Sequence, residues 1–424
     1  MERPLTQNID LRRGPLDLAG YRRAGGYRAA GKALREFAPD EIIRRVTDAK
    51  LRGRGGAGFP TGRKWAGVPR GEGAPDTRYL VVNADEMEPG SFKDRILLEG
   101  DPHQMIEAII ISAYAIQAHT AYIFLRGEYT CAEQRLRRAI GEASEAGVLG
   151  GRVLGTDFTL DLHLHMSAGR YICGESSALL NALEGRRAIP QKEIRSTTAG
   201  LWGRPTVVNN VETLYNVPHI IARGVQDYLS LSHSESDGGS KIYGASGRVK
   251  RPGWWELPMG TPMRELLEEH AGGMRDGCGF RALLPGGAST EFVLEEHLDV
   301  AMDFDSVPKV GSRMGTGTLI VLDDRQCPIG MMHNLATFFA RESCGWCTPC
   351  RDGLPWTESL LRALEEGKGE DGDIGLLEQL AERMGPGRTY CALAPGAAEP
   401  LQSALKYFRE DFERHIREKR CSYV

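Results

Sequence analysis

The run Arg78-Tyr79-Leu80-Val81-Val82-Asn83, followed directly by an acidic turn, decides the class of fold. A short apolar and β-branched run that ends in polar residues predicts a buried strand delivering a polar loop. Helical and strand patterns then alternate along the chain, at 102–118, 121–126, 130–146, 158–165 and 175–184. This alternation predicts an α/β layer fold.

The pattern of predicted secondary structure changes twice further along the chain. From about residue 240, short strand patterns at 241–250, 281–284 and 316–322 surround one helix at 262–270, which predicts a small α+β module. After residue 330 the patterns are helical, at 330–342, 352–366, 374–384 and 397–418. We therefore expect three domains, 1–240, 241–330 and 331–424.

Composition excludes several classes of partner. The 53 Lys and Arg residues against 57 Asp and Glu give a formal charge of −4, which offers nucleic acid or anionic lipid no long-range attraction. The longest apolar stretch, 108–118, is shorter than the roughly 20 residues of a membrane span. No apolar segment follows the N-terminal charges, so we expect a cytoplasmic chain with no membrane span of its own.

A glycine-rich segment at 51–65 is the first candidate site. Gly53, Gly55 and Gly58 formally satisfy GxGxxG, but a helix pattern precedes them and Pro60 follows, which does not fit a Rossmann fingerprint. The missing GKS or GKT excludes a P-loop. A surface loop with solvated arginines is one interpretation. Binding of a phosphate-bearing cofactor, with Arg54, Arg63 or Lys64 neutralising the anion, is the favoured one.

Polar residues gather at three other points. The turn 83–88 follows a strand and carries an amide and three carboxylates, which suit ribityl or ribose hydroxyls, although a solvated acidic loop is the alternative. Segments 171–176 and 207–213 place polar side chains at the start of helices. There they either bind a ligand or simply cap the helix.

The cysteines give the most specific signal. Cys344, Cys347 and Cys350 form CxxCxxC, and Cys391 is available as a distant fourth ligand. This arrangement favours a [4Fe-4S] cluster over zinc or a redox dithiol. The odd total of nine cysteines argues against a disulfide framework, and the other five have no partner spacing and receive no role.

Six ordered motifs together resemble one family, the flavin-bearing, NADH-oxidising F or 51-kDa subunit of respiratory complex I. They are 51–65, 83–95, 171–175, 200–214, 246–261 and 342–353, the last followed by Cys391. The resemblance implies a non-Rossmann α/β domain that binds FMN and NADH, a β-grasp-like domain and a helical bundle with one [4Fe-4S] cluster.

The resemblance also assigns residues to sites. It implies cofactor contacts at Gly53, Arg54, Gly55, Gly56, Ala57, Gly58, Phe59, Lys64, Asn83, Asp85, Tyr171, Gly174, Glu175, Ser176, Asn209, Asn210 and Thr213. Glu86 and Glu88 would line the NADH side as catalytic residues, and Cys344, Cys347, Cys350 and Cys391 would hold the cluster.

The implied function is that of an NADH:quinone oxidoreductase subunit. A hydride would pass from NADH to FMN, and single electrons would pass to the cluster and onward towards quinone. The implied partners are a small thioredoxin-like [2Fe-2S] subunit and a large multi-cluster subunit, in the peripheral arm of an inner-membrane complex. Alternatives are a diaphorase subunit of a hydrogenase or formate dehydrogenase, a non-catalytic electron-wiring subunit, and a zinc-stapled interaction protein.

Two departures from the family pattern concern the nucleotide. Ser176 stands where the family usually has a second glutamate near the adenosine ribose, which predicts weaker discrimination against NADPH. The segment 188–200 lacks the usual Lys-Pro-Pro-Phe-Pro stretch, and Gly67 replaces an apolar or aromatic residue, so contact with the adenine is expected to be reduced.

Overall fold

The computed structural model describes residues 2–10, 12–191 and 195–423. Its first sheet consists of β1 (Tyr79–Ala84), β2 (Thr120–Leu125), β3 (Asp161–Met166) and β4 (Thr206–Asn210). These strands are parallel and lie in the order β3-β2-β1-β4. The alternation of helices and strands in the sequence thus correctly predicted an α/β layer, although the sequence pattern at β4 indicates only the start of a helix.

Helices surround this sheet. They are α1 (Leu18–Arg23), α2 (Arg28–Glu36), α3 (Pro39–Asp48), α4 (Thr61–Ala66), α5 (Lys93–Gly100), α6 (Pro102–Ile116), α7 (Thr130–Glu145), α8 (Ser176–Leu183), α9 (Ser196–Ala199), α10 (Val211–Tyr215), α11 (Val217–Arg223) and α12 (Val225–Leu229).

Both faces of the parallel sheet are buried. Along β1, Leu80 and Val82 pack into a core with α6, whereas Val81 packs on the opposite face with Leu179 of α8 and the C-terminal helices. Side chains of a strand alternate between faces, and parallel sheets are normally covered on both, which explains the continuous apolar run in the sequence.

A second, mixed sheet follows. It consists of β5 (Ser240–Gly247), β6 (Gly253–Pro258), β7 (Phe280–Leu284) and β8 (Thr318–Asp323) in the order β6-β5-β8-β7. The outer pairs are antiparallel and β5 runs parallel to β8. The short helix α13 (Met263–Glu265) continues into a π-helical turn at Leu266–His270. Residues Met263, Leu266 and Leu267 pack into the core of this sheet.

The rest of the chain is helical. Its helices are α14 (Pro328–Glu342), α15 (Thr348–Glu365), α16 (Asp373–Arg383), α17 (Leu393–Tyr407) and α18 (Arg409–Glu418). The expectation of one helix over 397–418 was wrong. The helix is interrupted at Phe408, whose backbone has φ −121° and ψ 24°. The ring of Phe408 packs edge-on against that of Phe292, with 5.2 Å between the ring centroids.

The sheets and the helical unit give the proposed domain boundaries a structural basis. We propose boundaries near residues 240 and 330, where β5 and α14 begin. None of the helices in the described ranges combines the length and the apolarity that a bilayer crossing requires.

Candidate functional site

A cleft of about 410 Å³ opens beyond the carboxyl ends of β1 and β4. On one side of β1 lies β2 and on the other lies β4, so the strand order reverses at this point. Parallel α/β sheets bind ligands at such a switch point, and the volume is typical of a cofactor site.

The cleft brings together nearly all of the predicted site residues. Its walls include Gly53, Gly55, Gly56, Ala57, Gly58, Phe59, Lys64, Asn83, Asp85, Glu86, Glu88, Tyr171, Gly174, Glu175, Ser176, Asn209, Asn210 and Thr213. They come from four separate segments that share no local pattern in the sequence.

The glycine loop forms one wall. It lies between α3 and α4, before β1, and the N–H of Gly53 donates to the carbonyl of Phe59 at 2.9 Å. Gly58 has φ +63°, and a Cβ there would lie 2.4 Å from the Phe304 ring. Because a Rossmann loop follows the first strand, this loop is of a different kind, as expected.

Unlike Lys64, neither Arg63 nor Arg54 lines the cleft. Arg54 is enclosed by the protein instead. Its side chain is fully buried and donates to the carbonyl of Gly238 at 2.7 Å. Only its backbone serves the site, through a 2.8 Å hydrogen bond from its N–H to Oγ1 of Thr213. The expectation that this guanidinium neutralises a bound phosphate is therefore corrected.

Lys64 supplies the cation on this wall instead. It lies on α4, and its Nζ donates to the carbonyl of Val208 at 3.0 Å. Burial lowers the pKa of this ammonium group. A partly desolvated cation beside a glycine loop suits a phosphate group.

The side chain of Asp85 offers hydrogen-bond acceptors to a ligand in the cleft. Its side chain is buried, and neither carboxylate oxygen has a hydrogen-bond partner among the described residues. Burial raises the pKa of this carboxyl group to about 7. An unpartnered buried carboxylate on a cleft wall fits a ligand rich in hydroxyl donors.

The amides at the ends of β1 and β4 are already engaged with the protein. Asn83 Nδ2 donates to the carbonyl of Gly174 at 2.8 Å. Asn209 Oδ1 accepts from Trp65 Nε1 at 2.8 Å, and Asn210 Oδ1 accepts from the Glu212 N–H at 3.1 Å, which caps α10. These bonds fix the shape of the wall, and the capping interpretation holds for Asn210.

The two predicted catalytic carboxylates differ in their surroundings. Glu86 accepts from the N–H groups of Asp94 and Arg95 at 3.1 Å, so its carboxylate caps the start of α5. Glu88 accepts from the Tyr171 hydroxyl at 2.6 Å and from the Ser289 N–H at 2.7 Å. Burial raises the pKa of Glu88.

In the turn before α8, Glu175 and Ser176 have different roles. The Glu175 carboxylate accepts from the N–H groups of Ser177 and Ala178 at 3.0 and 2.8 Å, which is an N-cap. Ser176 is the exposed first residue of α8 on the cleft wall. Of the divergent segment 188–200 near this turn, residues 192–194 lie outside the described part.

Several residues on the cleft wall were missed by sequence reasoning. They are Met87, Ser91, Lys93, Asp94, Ile172, Val208, Gly286, Ser289, Arg313, Gly315, Thr316, Ala392 and Leu393. Gly315 pairs with Gly56 of the glycine loop in an isolated bridge. Residues 286–316 precede or follow strands of the second sheet, and no local pattern links them to the glycine loop.

The four predicted cluster ligands line one small cavity beside the cleft. Cys344, Cys347, Cys350 and Cys391 share it with the exposed ring of Trp346. The sulfur atoms of these four cysteines do not all lie within 4.8 Å of one another, as the ligands of a single ion would. Among the described residues, one group of possible metal ligands meets this criterion, and it lies elsewhere. The wider spacing suits a cluster better than a zinc ion.

The surroundings of these thiols keep two of them protonated as long as no cation is bound. Burial raises the pKa of Cys350 to about 11 and of Cys391 to about 12, so a bound cation is needed to hold them as thiolates at neutral pH. The N–H of Tyr390 donates to Sγ of Cys347 at 3.4 Å.

The cleft and the cysteine cavity are neighbours. Ile172, Cys391 and Leu393 contribute to the walls of both. A redox group in the cleft and a cluster in the cavity would therefore be separated by little more than these side chains.

Comparison with known proteins agrees with this geometry. Family models match at residues 46–219 (Nuo51 FMN-binding domain), 244–291 (SLBB domain) and 330–415 (NADH-ubiquinone oxidoreductase-F iron-sulfur binding region). The F subunit of NADH-quinone oxidoreductase from Escherichia coli K12 is 56% identical over 98% of this chain and 93% of its own. The F 2 subunit of the enzyme from Rhizobium meliloti 1021 is 50% identical over 99% of each chain.

A solved structure is also similar. A chain of an NAD⁺-reducing [NiFe]-hydrogenase in the H₂-reduced state superposes with a TM-score of 0.81 at 33% identity. The match covers 93% of this chain and 64% of the hydrogenase chain. On the extent and identity of these matches, the chain belongs to the family of NADH-quinone oxidoreductase F subunits.

Proposed function

We infer that this chain is the NADH-oxidising flavin and iron–sulfur subunit of a complex-I-type NADH:quinone oxidoreductase. The observation that carries the inference is the shared wall of the cleft and the cysteine cavity, formed by Ile172, Cys391 and Leu393. A two-electron donor and a one-electron carrier need an adaptor between them, and FMN bound in the cleft would supply that chemistry.

The residues of the cleft fit FMN. The backbone of the glycine loop and the Lys64 cation suit its phosphate, and the free carboxylate oxygens of Asp85 suit ribityl hydroxyls. Asn209, Asn210 and Thr213 hold the wall next to them through their own hydrogen bonds. The chain thus needs to orient and shield its ligands, and it needs no acid–base triad.

The outer part of the cleft is our proposed NADH site. Phe59 is 46% exposed there and offers an aromatic face to a planar ring. Glu88, held by Tyr171 and Ser289, faces the same space, whereas the Glu86 carboxylate is committed to α5. We therefore assign the direct contact with substrate to Glu88 and a positioning role to Glu86.

Cys344, Cys347, Cys350 and Cys391 are the proposed ligands of the [4Fe-4S] cluster. Electrons would leave from there to other subunits of the complex. We propose the small thioredoxin-like [2Fe-2S] subunit and the large multi-cluster subunit as these partners, in the peripheral arm of an inner-membrane complex on its cytoplasmic side. Since no described helix can span a bilayer, attachment would be through the partners.

A diaphorase role in a hydrogenase is the second candidate. It is favoured by the TM-score of 0.81 to a chain of an NAD⁺-reducing hydrogenase. The identity to that chain is 33%, against 56% to an F subunit of NADH-quinone oxidoreductase over nearly the full chain. The complex I assignment is therefore the better supported.

Anaerobic titration of the FMN-loaded, cluster-reconstituted chain with NADH tests the proposal. We expect the flavin absorbance band to bleach with about one to one and a half equivalents of NADH, because a hydride carries the two electrons that the flavin accepts and the cluster can take up a third. A flavin that stays oxidised in excess NADH and in excess NADPH would instead identify an electron-wiring subunit with a closed nucleotide site.

A further inference from the structure

A second group of metal-ligand side chains lies in the helical unit, apart from the cysteine cavity. It consists of Cys327, Glu365, His415 and Cys421, and one donor atom from each lies within 4.8 Å of all the others. Thiolates, imidazole and carboxylate are all ligands that zinc binds in proteins. We propose that these four residues bind a zinc ion.

Two of the separations between donor atoms already fit a tetrahedral ion. Sγ of Cys327 lies 3.4 Å from Nε2 of His415, and this nitrogen lies 3.3 Å from Oε1 of Glu365. Ligands of tetrahedral zinc, at metal distances of about 2.0–2.3 Å, lie roughly 3.3–3.8 Å from one another. The third separation, 2.8 Å between Cys327 Sγ and Glu365 Oε1, has to lengthen by roughly 0.5–0.7 Å, and the donor atom of Cys421 lies within 4.8 Å of the other three.

The surroundings orient the donor atoms. Nδ1–H of the fully buried His415 donates to the carbonyl of Asp411 at 2.7 Å, which leaves Nε2 free to bind a metal. The N–H of Gly330 donates to Sγ of Cys327 at 3.3 Å. A Cβ at Gly330 would lie 3.1 Å from Oε2 of Glu365, so this glycine leaves room for the carboxylate.

Cys421 is held in place from both sides. The backbone of Lys419 packs so closely on the loop after α15 that a Cβ at Gly367 would lie 2.0 Å from the Lys419 carbonyl oxygen. On the other side, the Tyr423 hydroxyl donates to Oδ1 of Asp411 at 2.6 Å. The C-terminal segment therefore presents its thiol through defined contacts.

The ligands come from four different segments. Cys327 caps the start of α14, Glu365 ends α15, His415 belongs to α18 and Cys421 follows it. The cluster cysteines follow the opposite end of α14, a helix of 15 residues and thus about 22 Å long. The zinc ion would consequently cross-link the helices of the helical unit and take no part in electron transfer.

Metal analysis of the full-length chain tests this proposal. We expect about one zinc per chain in the wild type, in addition to the iron of the cluster, and less than about a fifth of that in Cys421→Ser. Cys278→Ser is the matched control, since Cys278 is a free cysteine in a different unit, and it should keep its zinc. Iron and flavin contents that match the wild type would show that both variants fold.

Cobalt exchange gives an independent readout. Co²⁺ at this site should show a thiolate-to-metal charge-transfer band in the wild type and Cys278→Ser, weakened in Cys421→Ser. Zinc-free wild type, zinc retained in Cys421→Ser, a different ion at these ligands, or a Cys327–Cys421 disulfide in mass spectra would each overturn the proposal. These outcomes are independent of whether NADH reduces the flavin.

Discussion

Asp85 makes the stability of the cleft depend on pH. Its carboxyl group has a pKa of about 7 in the folded chain because burial disfavours the charged form more strongly than Ser167 and Arg126 favour it. The unfolded chain releases the same proton near pH 4. The flavin-free folded protein therefore holds more protons between these values, and its stability falls as pH rises from about 4 to 7, by up to about 4 kcal/mol.

Replacing Asp85 by asparagine should separate stability from flavin binding. We expect Asp85→Asn to raise the free energy of unfolding of the flavin-free chain at pH 8 by about 1–3 kcal/mol, with little difference at pH 4. FMN should bind about five- to tenfold more weakly, because an amide accepts weaker hydrogen bonds than a carboxylate. Denaturant unfolding at both pH values and flavin fluorescence measure these effects. A stability change of equal size at both pH values would contradict the explanation.

Ser176 should influence the choice between NADH and NADPH. It is exposed on the cleft wall at the start of α8, where a carboxylate would repel a 2′-phosphate. We expect Ser176→Glu to raise KM for NADPH about tenfold and KM for NADH less than about twofold. Steady-state kinetics with both nucleotides measure the change.

Ser176→Gln is the matched control for the charge. It has nearly the size of the glutamate variant without its charge, so its ratio of KM values should stay close to that of the wild type. If Ser176→Glu leaves the NADPH KM unchanged, or if the glutamine variant raises it equally, the proposed repulsion is absent.

Individual site residues could be predicted only where local spacing carries the chemistry. CxxCxxC and the glycine loop are such patterns, and their residues line the cysteine cavity and the cleft. The commitment of Glu86 to the start of α5, and the burial of Arg54 on Gly238, depend on partners that the local sequence does not reveal.

The contact between α3 and α4 positions Lys64. A Cβ at Gly62 in α4 would lie 2.0 Å from Oγ1 and 2.8 Å from the backbone N of Thr47 in α3. We expect Gly62→Ala to lower the free energy of unfolding by about 1–3 kcal/mol and to weaken FMN binding, because α4 has to move.

Gly67→Ala is the control for this element. Gly67 has φ −74°, and the nearest atom to a Cβ there is the Lys64 carbonyl oxygen at 3.4 Å, which is an ordinary contact. Chemical denaturation should place this variant within about 0.5 kcal/mol of the wild type. Equal stabilities for Gly62→Ala and Gly67→Ala would show that the helix contact is less tight than described.

Elements with an unbroken apolar pattern were predictable, whereas β4 and the division of the last helix pattern were not. The helix pattern at 102–118 corresponds to α6 (Pro102–Ile116), whose apolar residues are buried almost throughout. In contrast, β4 has only two apolar residues, Val207 and Val208, before Asn209, and its pairing with β1 depends on contacts distant in sequence. The break at Phe408 likewise depends on the packing of its ring against Phe292.

A buried ion network joins the two sheet units of the molecule. The Glu212 carboxylate in α10 lies 2.9 Å from Nζ of Lys241 in β5 and 3.1 Å from Nζ of Lys93, and it accepts from the N–H of Ile242 at 2.7 Å. The buried lysines lower the pKa of Glu212. This contribution to stability is thus present above the unfolded pKa near 4.3 and is lost as pH falls through the lower folded value.

Removing the charge of Glu212 should destabilise the whole chain. We expect Glu212→Gln to cost about 3–5 kcal/mol at pH 7, because two buried lysines lose their common partner. Glu133→Gln, which breaks the surface pair with Arg137, should cost less than about 0.5 kcal/mol. Thermal or denaturant unfolding compares the two, and similar costs would show that the buried network contributes little.

At the scale of the molecule, changes in the helix and strand patterns of the sequence correctly predicted an α/β layer, a small β-rich unit and a helical C-terminal unit. They did not predict that the second unit contributes Gly286, Ser289 and Arg313 to the cleft, because that contact exists only after the units pack together. The convergence of Cys327 and Cys421 was hidden for the same reason.

We propose above all that the cleft and the cysteine cavity form one path for electrons. Low-temperature EPR of the chain reduced anaerobically with NADH, with and without bound FMN, tests it most directly. We predict the signal of a reduced [4Fe-4S] cluster only in the FMN-loaded chain. A cluster that stays oxidised after the flavin has bleached, or that NADH reduces without FMN, would contradict this claim.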